Sequence, residues 1–98
     1  MERAEAIARL TEVGDVVRAR GATSLWLFGA TARDEATAGS DLDLFIDYDP
    51  AKKFSLVDLV GLEESIESRL GTRVDLPTRD SLHPRLRDDI VRSAVRVL

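Results

Sequence analysis

The run Asp41-Leu42-Asp43-Leu44-Phe45-Ile46-Asp47 constrains the fold of this chain more than any other segment, because its first four residues alternate acid and leucine. Side chains on a β-strand point to opposite faces with period two, so a strand here buries Leu42 and Leu44 and turns Asp41 and Asp43 together to the other side. Twelve positions upstream, Gly29 follows the short apolar run Ser24-Leu25-Trp26-Leu27-Phe28, itself preceded by Gly21, which reads as a buried strand. Eleven residues separate Gly29 from Asp41, too few for a comfortable parallel crossover. The two strands are therefore expected to be antiparallel neighbours, with the end of the first beside the start of the second.

Helical signals surround this pair. Ile7, Leu10, Val13, Gly14 and Val17 recur at three- and four-residue spacing and predict a helix from about Glu2 to Arg20. Ser55 is a candidate N-cap for a second helix with Leu56, Leu59, Leu62, Ile66 and Leu70 on its apolar face, closed by Gly71. Arg73-Val74-Asp75-Leu76 predicts a third short strand ended by Pro77, and Leu86, Ile90, Ala94 and Val97 a last helix from near Pro84 to the end. The expectation is one α/β (α+β) domain over residues 1–98, with a small mixed sheet of about three strands flanked by helices. A chain of this length buries only about 60–65% of its unfolded surface, so any site must lie on the core elements themselves.

Composition narrows the chemistry. Zero cysteines exclude disulfides, thiolate metal sites and cysteine nucleophiles, and the single histidine, His83, sits in a turn context before Pro84. The first ten residues mix acids and bases without an apolar core, so no secretory leader is expected; with no apolar run near the ~18 residues that a membrane span needs, a cytoplasmic location is the default. Residues 34–49 carry six acids and no base, whereas 79–98 carry five arginines against three aspartates. With a net charge of −4, direct nucleic-acid binding is not expected, since that needs clustered cations. Two carboxylates on one strand face repel unless a cation sits between them, and oxygen ligands suit Mg²⁺ or Mn²⁺. An isolated Asp-x-Asp can equally be the solvated face of a strand. Gly29 adds the second element, since Ala30-Thr31-Ala32-Arg33 after it can open a short helix whose free N–H groups face a phosphate. Mid-strand among leucines, Trp26 is expected in the core, and Lys52 and Lys53 in a solvated loop.

Phe28-Gly29-Ala30, ten residues, then Asp41-Leu42-Asp43-Leu44, with Arg33 and Ser40 in the spacer, resembles the Gly-Ser-x10-Asp-x-Asp signature of the DNA polymerase β-like nucleotidyltransferases. Over nearly the whole chain, including Phe54–Glu63 and Val74-Asp75-Leu76, it is similar to the minimal nucleotidyltransferase (MNT) group. The resemblance implies Asp41, Asp43 and Asp75 as catalytic carboxylates and ligands of Mg²⁺ or Mn²⁺, and Gly29, Ala30, Arg33 and Ser40 at the nucleotide. It implies transfer of a nucleoside monophosphate, AMP from ATP, to a protein hydroxyl, by the antitoxin of a pair whose toxin is a HEPN-domain protein. Two other readings stand beside it: a catalytically weak or inactive toxin-binding module, and a small-molecule nucleotidyltransferase subunit. Against the family pattern, Ala30 stands in place of serine, Thr31 in place of a frequent arginine, and Asp34 where a small residue is common.

Overall fold

The computed structural model describes residues 1–37 and 39–98. In chain order its elements are α1 (Arg3–Glu12), α2 (Gly14–Ala19), β1 (Ala22–Phe28), α3 (Gly29–Ala32), β2 (Leu42–Tyr48), α4 (Leu56–Leu70), β3 (Val74–Asp75), α5 (Pro84–Ser93) and β4 (Val95–Arg96). A single 3₁₀ turn, Arg79–Ser81, lies between β3 and α5. The four strands form one mixed sheet in the order β3-β2-β1-β4. β1 and β2 are antiparallel, as their short connection requires, and β3 returns parallel to β2 after the α4 crossover. Among the described residues, no helix is long and apolar enough to cross a membrane.

The alternation along β2 sorts the sheet into two faces. Leu42, Leu44 and Ile46 join Leu25 and Leu27 of β1 in the main core, against Leu10 and Val17 of α1 and α2 and Leu62 and Ile66 of α4. α4 begins with a reciprocal capping box: the Asp58 N–H donates to Ser55 Oγ at 3.3 Å and the Ser55 N–H to Asp58 Oδ2 at 2.8 Å. It ends at Gly71 in the left-handed region, at φ +68°. Leu62, Ile66 and Leu70 face the sheet, but Leu56 is 74% exposed. At about 100° per residue, Leu59 lies about 60° and Leu56 about 120° off the direction of Leu62, which places Leu56 outside the buried stripe.

Three further expectations are corrected. The predicted helix over 2–20 is two helices, broken at Val13 (φ −95°, ψ 9°), whose N–H turns back to the Leu10 carbonyl at 3.2 Å. The break lets Leu10, Val13 and Val17 all reach the core, and Gly14 leaves room for Leu98, whose Cδ2 would lie 2.9 Å from an added Cβ. The last helix stops at Ser93: Ala94 is extended, and Val95 and Arg96 pair with Leu27 and Trp26 as a fourth strand. The free backbone edge of β1 offers hydrogen bonds that a helix end cannot, and the Val97 N–H donates one of them to the Leu25 carbonyl at 2.8 Å. Trp26 is not in the leucine core. Strand alternation turns it, with Ser24 and Phe28, to the opposite face. His83 caps α5, its Nδ1 accepting from the Arg85 N–H at 3.2 Å, and Lys52 and Lys53 are exposed.

The second face is held by one side-chain network. Trp26 and Phe45 lie side by side, with ring centroids 5.7 Å apart, and the Arg79 guanidinium spans both at 5.1 and 5.0 Å. Arg79 Nε donates to Asp47 Oδ1 at 2.7 Å and Nη2 to Oδ2 at 2.9 Å, while Ser24 Oγ donates to Asp47 Oδ2 at 2.6 Å. The Arg79 hydrogen bonds hold the Asp47 carboxyl below the ordinary value of 3.8, against partial burial, with help from Ser24 and Trp26. This stabilisation is complete above that ordinary value and is lost as pH falls through the lower folded one. Arg79→Met should therefore cost about 1–2 kcal/mol at pH 7. In urea unfolding, the gap to wild type should narrow as pH drops below about 3.8, the value for a carboxyl without partners.

Candidate active site

The closest backbone approach at the site is set by the β1–β2 register, in which Phe28 is opposite Asp43. The next residue, Gly29, has φ +73°, and a Cβ placed there would lie 3.1 Å from both Cβ and Cγ of Asp43 and closer still to its Oδ2. Both the left-handed backbone and the missing side chain are thus needed for the chain to turn against the carboxylate. Gly29 opens α3, whose first N–H groups have no preceding helical carbonyl to bond. Donors that can face a phosphate are therefore built beside an acid.

The expected carboxylates come from two stretches of chain, the start of β2 and β3. Asp43 on β2 is the parallel register partner of Asp75 on β3. Asp41 lies just before β2, exposed, and its charge still reaches Asp43. The Asp43 carboxyl is pushed above its ordinary range, first by burial, then by Asp75 and Asp41, with Arg33 opposing. α4 adds to the same field: Glu63 is also raised, first by burial, then by Glu67 and Asp75. Among the described residues, no three acidic or imidazole groups close into a ready metal cage. The donor set still fits a hard cation such as Mg²⁺, which is characteristically held by one or two carboxylates and completed by water and substrate phosphate.

The remaining expected residues are arranged unevenly. Ala30 stands at the first turn of α3 with only its backbone to offer. Arg33 Nε pairs with Glu35 Oε2 at 3.1 Å, so the guanidinium is not bonded to Asp43 although its charge is felt there. Ser40 caps its own turn, its Oγ accepting from the Thr37 N–H at 3.0 Å. Two departures from the family pattern find structural roles. Thr31 is a buried packing position, and the Asp34 carboxylate accepts from the Arg3 N–H at 3.1 Å, satisfying a free donor at the start of α1 that Glu2 leaves uncapped.

Reading the sequence alone misses Asp47, Ser24, Trp26 and Arg79 as a unit, and Glu63 as a neighbour of Asp75. Strand alternation carried on from Asp43 is the signal that could have put Asp47 on the acidic face. Nothing local to Arg79 pointed to its partner thirty-two residues away.

Because the folded state raises the Asp43 pKa, the metal-free protein carries a penalty that is absent below the ordinary carboxylate value and fully present at neutral pH. Asp43→Asn should therefore raise the unfolding midpoint of the metal-free chain at pH 7 by about 2–6 °C, an advantage that shrinks toward pH 3. Scanning calorimetry at the two pH values measures it.

The sequence and the fold both have known relatives. The model of the nucleotidyltransferase domain family matches residues 10–97. A provisionally named protein adenylyltransferase of Methanocaldococcus jannaschii is 43% identical over 72 residues, covering 74% of this chain and 75% of its own. Protein adenylyltransferase MntA of Thermococcus cleftensis is 35% identical over 77 residues, covering 79% of this chain and 76% of its own. A solved structure provisionally described as a minimal nucleotidyltransferase superposes with a TM-score of 0.84 at 35% identity, over 97% of this chain and 95% of that one. The fold is also that of the MNT antitoxin in complex with the tri-AMPylated HEPN toxin of Shewanella oneidensis, with a TM-score of 0.68 at 17% identity, over 93% of this chain and 70% of that one. Matched by the family model over residues 10–97 and by relatives of 35% identity or more across most of both chains, this chain belongs to the nucleotidyltransferase domain family, among its minimal members.

Proposed function

We propose that the chain transfers AMP from ATP, with Mg²⁺ or Mn²⁺, to a hydroxyl of a HEPN-domain toxin, and so acts as the antitoxin of a toxin–antitoxin pair. The observation that carries this reading is the contact of the Gly29 turn with Asp43, with Asp75 registered across from it. Phosphate donors and carboxylates meet there within one turn of backbone. The protein adenylyltransferase names of the relatives support the reaction, and the MNT antitoxin of similar fold supports the partner. The six acids of residues 34–49 suit a basic partner surface. A supply of nucleoside triphosphate implies a cytoplasmic protein.

Asp41, Asp43 and Asp75 would hold the cation, which supplies charge neutralisation at the triphosphate. The free N–H groups at Gly29 and Ala30 orient the phosphates, and Arg33, released from Glu35, can add a charge. The acceptor oxygen bonds to the α-phosphorus as the bond to the bridging oxygen of pyrophosphate breaks. The proton of the acceptor hydroxyl passes to a carboxylate, for which exposed Asp75 on the sheet edge is the best placed. Positioning and charge carry the reaction, and neither cysteine nor histidine is needed.

A binding module is the second reading, favoured by Ala30 and by the pairing of Arg33 with Glu35. Incubation with labelled ATP, Mg²⁺ and a HEPN-domain partner separates the two: label on the partner supports transfer, and a stable complex without label supports binding alone. Asp41→Asn and Asp43→Asn should each abolish label transfer while keeping the circular dichroism of the wild type. Ala30→Ser should restore one hydroxyl donor to the phosphates, a bond worth about 1.5–3 kcal/mol when the acceptor is charged. At least a several-fold gain in affinity for a non-hydrolysable ATP analogue is expected by calorimetry.

A further inference from the structure

β3 is only two residues long and lies at the sheet edge, with β2 as its one neighbour strand. Among the described residues, the Asp75 side chain accepts no hydrogen bond, so its position depends on how the backbone of residues 73–78 lies along β2. That backbone is tied above Asp75 by the Leu42 N–H to the Arg73 carbonyl at 2.9 Å, and below it by the Ile46 N–H to the Pro77 carbonyl at 3.1 Å. Pro77 has no N–H to donate in return. The lower end is therefore held by few backbone bonds, an isolated bridge of Ile46 with Thr78 among them.

Arg79 comes directly after this bridge. Its fork reaches back to Asp47, which stands on β2 two pleats along the same face from Asp43. Asp47 is itself fixed by Ser24 of β1, and the guanidinium is laid over Trp26 and Phe45. An ordinary surface pair is monodentate and mobile, whereas this one is bidentate and about 30% exposed on each side. We infer that Arg79 is a positioning residue for the reaction: through Asp47 it clamps the segment after β3 to β2 and so keeps Asp75 registered beside Asp43.

The inference rests on Asp75 serving the site as set out under Proposed function, and a double-substitution cycle separates the two claims. Binding of Mn²⁺ with a non-hydrolysable ATP analogue, followed by electron paramagnetic resonance of free Mn²⁺, and label transfer would be measured for wild type, Arg79→Met, Asp75→Asn and the double variant. Arg79→Met and Asp75→Asn should each lower binding or transfer by roughly tenfold, the scale seen for groups that orient metal ligands. The double variant should be no worse than Asp75→Asn within about twofold, because a clamp has no effect once its carboxylate is gone. Arg79→Lys, which keeps one charged contact, should recover part of the loss. Amide exchange at Ile46 should quicken in Arg79→Met while that of Leu27 in the core stays unchanged.

Penalties that multiply in the double variant would overturn the clamp and leave the role of Asp75 standing, as would wild-type binding and transfer in Arg79→Met. An Asp75→Asn variant indistinguishable from wild type in both readouts would overturn the assignment of Asp75, and with it the clamp.

Discussion

The antiparallel pairing of β1 with β2 is the constraint on which the rest of this protein depends. Its register sets Phe28 opposite Asp43 and so delivers Gly29 to a place where a side chain would run into that carboxylate. Every other feature of the site is attached to that pair. α3 opens from its first strand, Asp41 leads into its second, and β3 is laid along its outer edge so that Asp75 falls beside Asp43.

The sheet divides its two faces between stability and chemistry. One is leucine, isoleucine and valine packed under α1, α2 and α4, and needs no polar partner. The other must display acids, and acids cannot supply hydrophobic burial. Phe45, wholly buried on that face, and the Trp26 ring beside it supply part of what is missing, with Arg79 as their lid. The carboxylate of Asp47 is matched by a cation and a hydroxyl and is stabilising, while that of Asp43, one pleat pair away, is partly buried and faces other acids and is not. Two residues of the same type on one strand thus carry opposite electrostatic roles.

The departures from the family pattern are not equivalent once the fold is known. Thr31 packs inward and Asp34 completes the start of α1, so each is accounted for by structure. Ala30 has no such role to account for it, and leaves only its backbone in the first turn of α3.

Local signals made much of this protein legible in its sequence. The Asp-Leu alternation, the short spacer after Gly29, the Ser55 and Gly71 caps and the Val74-Asp75 strand each act over a few residues, and they were enough for the α+β class, the antiparallel pair and the glycine turn beside an acid. The break at Val13 and the end of α5 at Ser93 were not recoverable in that way, whereas the outward face of Trp26 follows from period two once Leu25 and Leu27 are the buried pair. Ile90-Ala94-Val97 satisfies a helical period as well as Val95 and Val97 satisfy an extended one, and the choice falls to the open edge of β1, which only the assembled sheet presents. The Asp47–Arg79 link, spanning thirty-two residues, was likewise decided by tertiary structure: a charged pair at that separation has no periodic signature, and its partners meet only after the α4 crossover has returned the chain alongside β2.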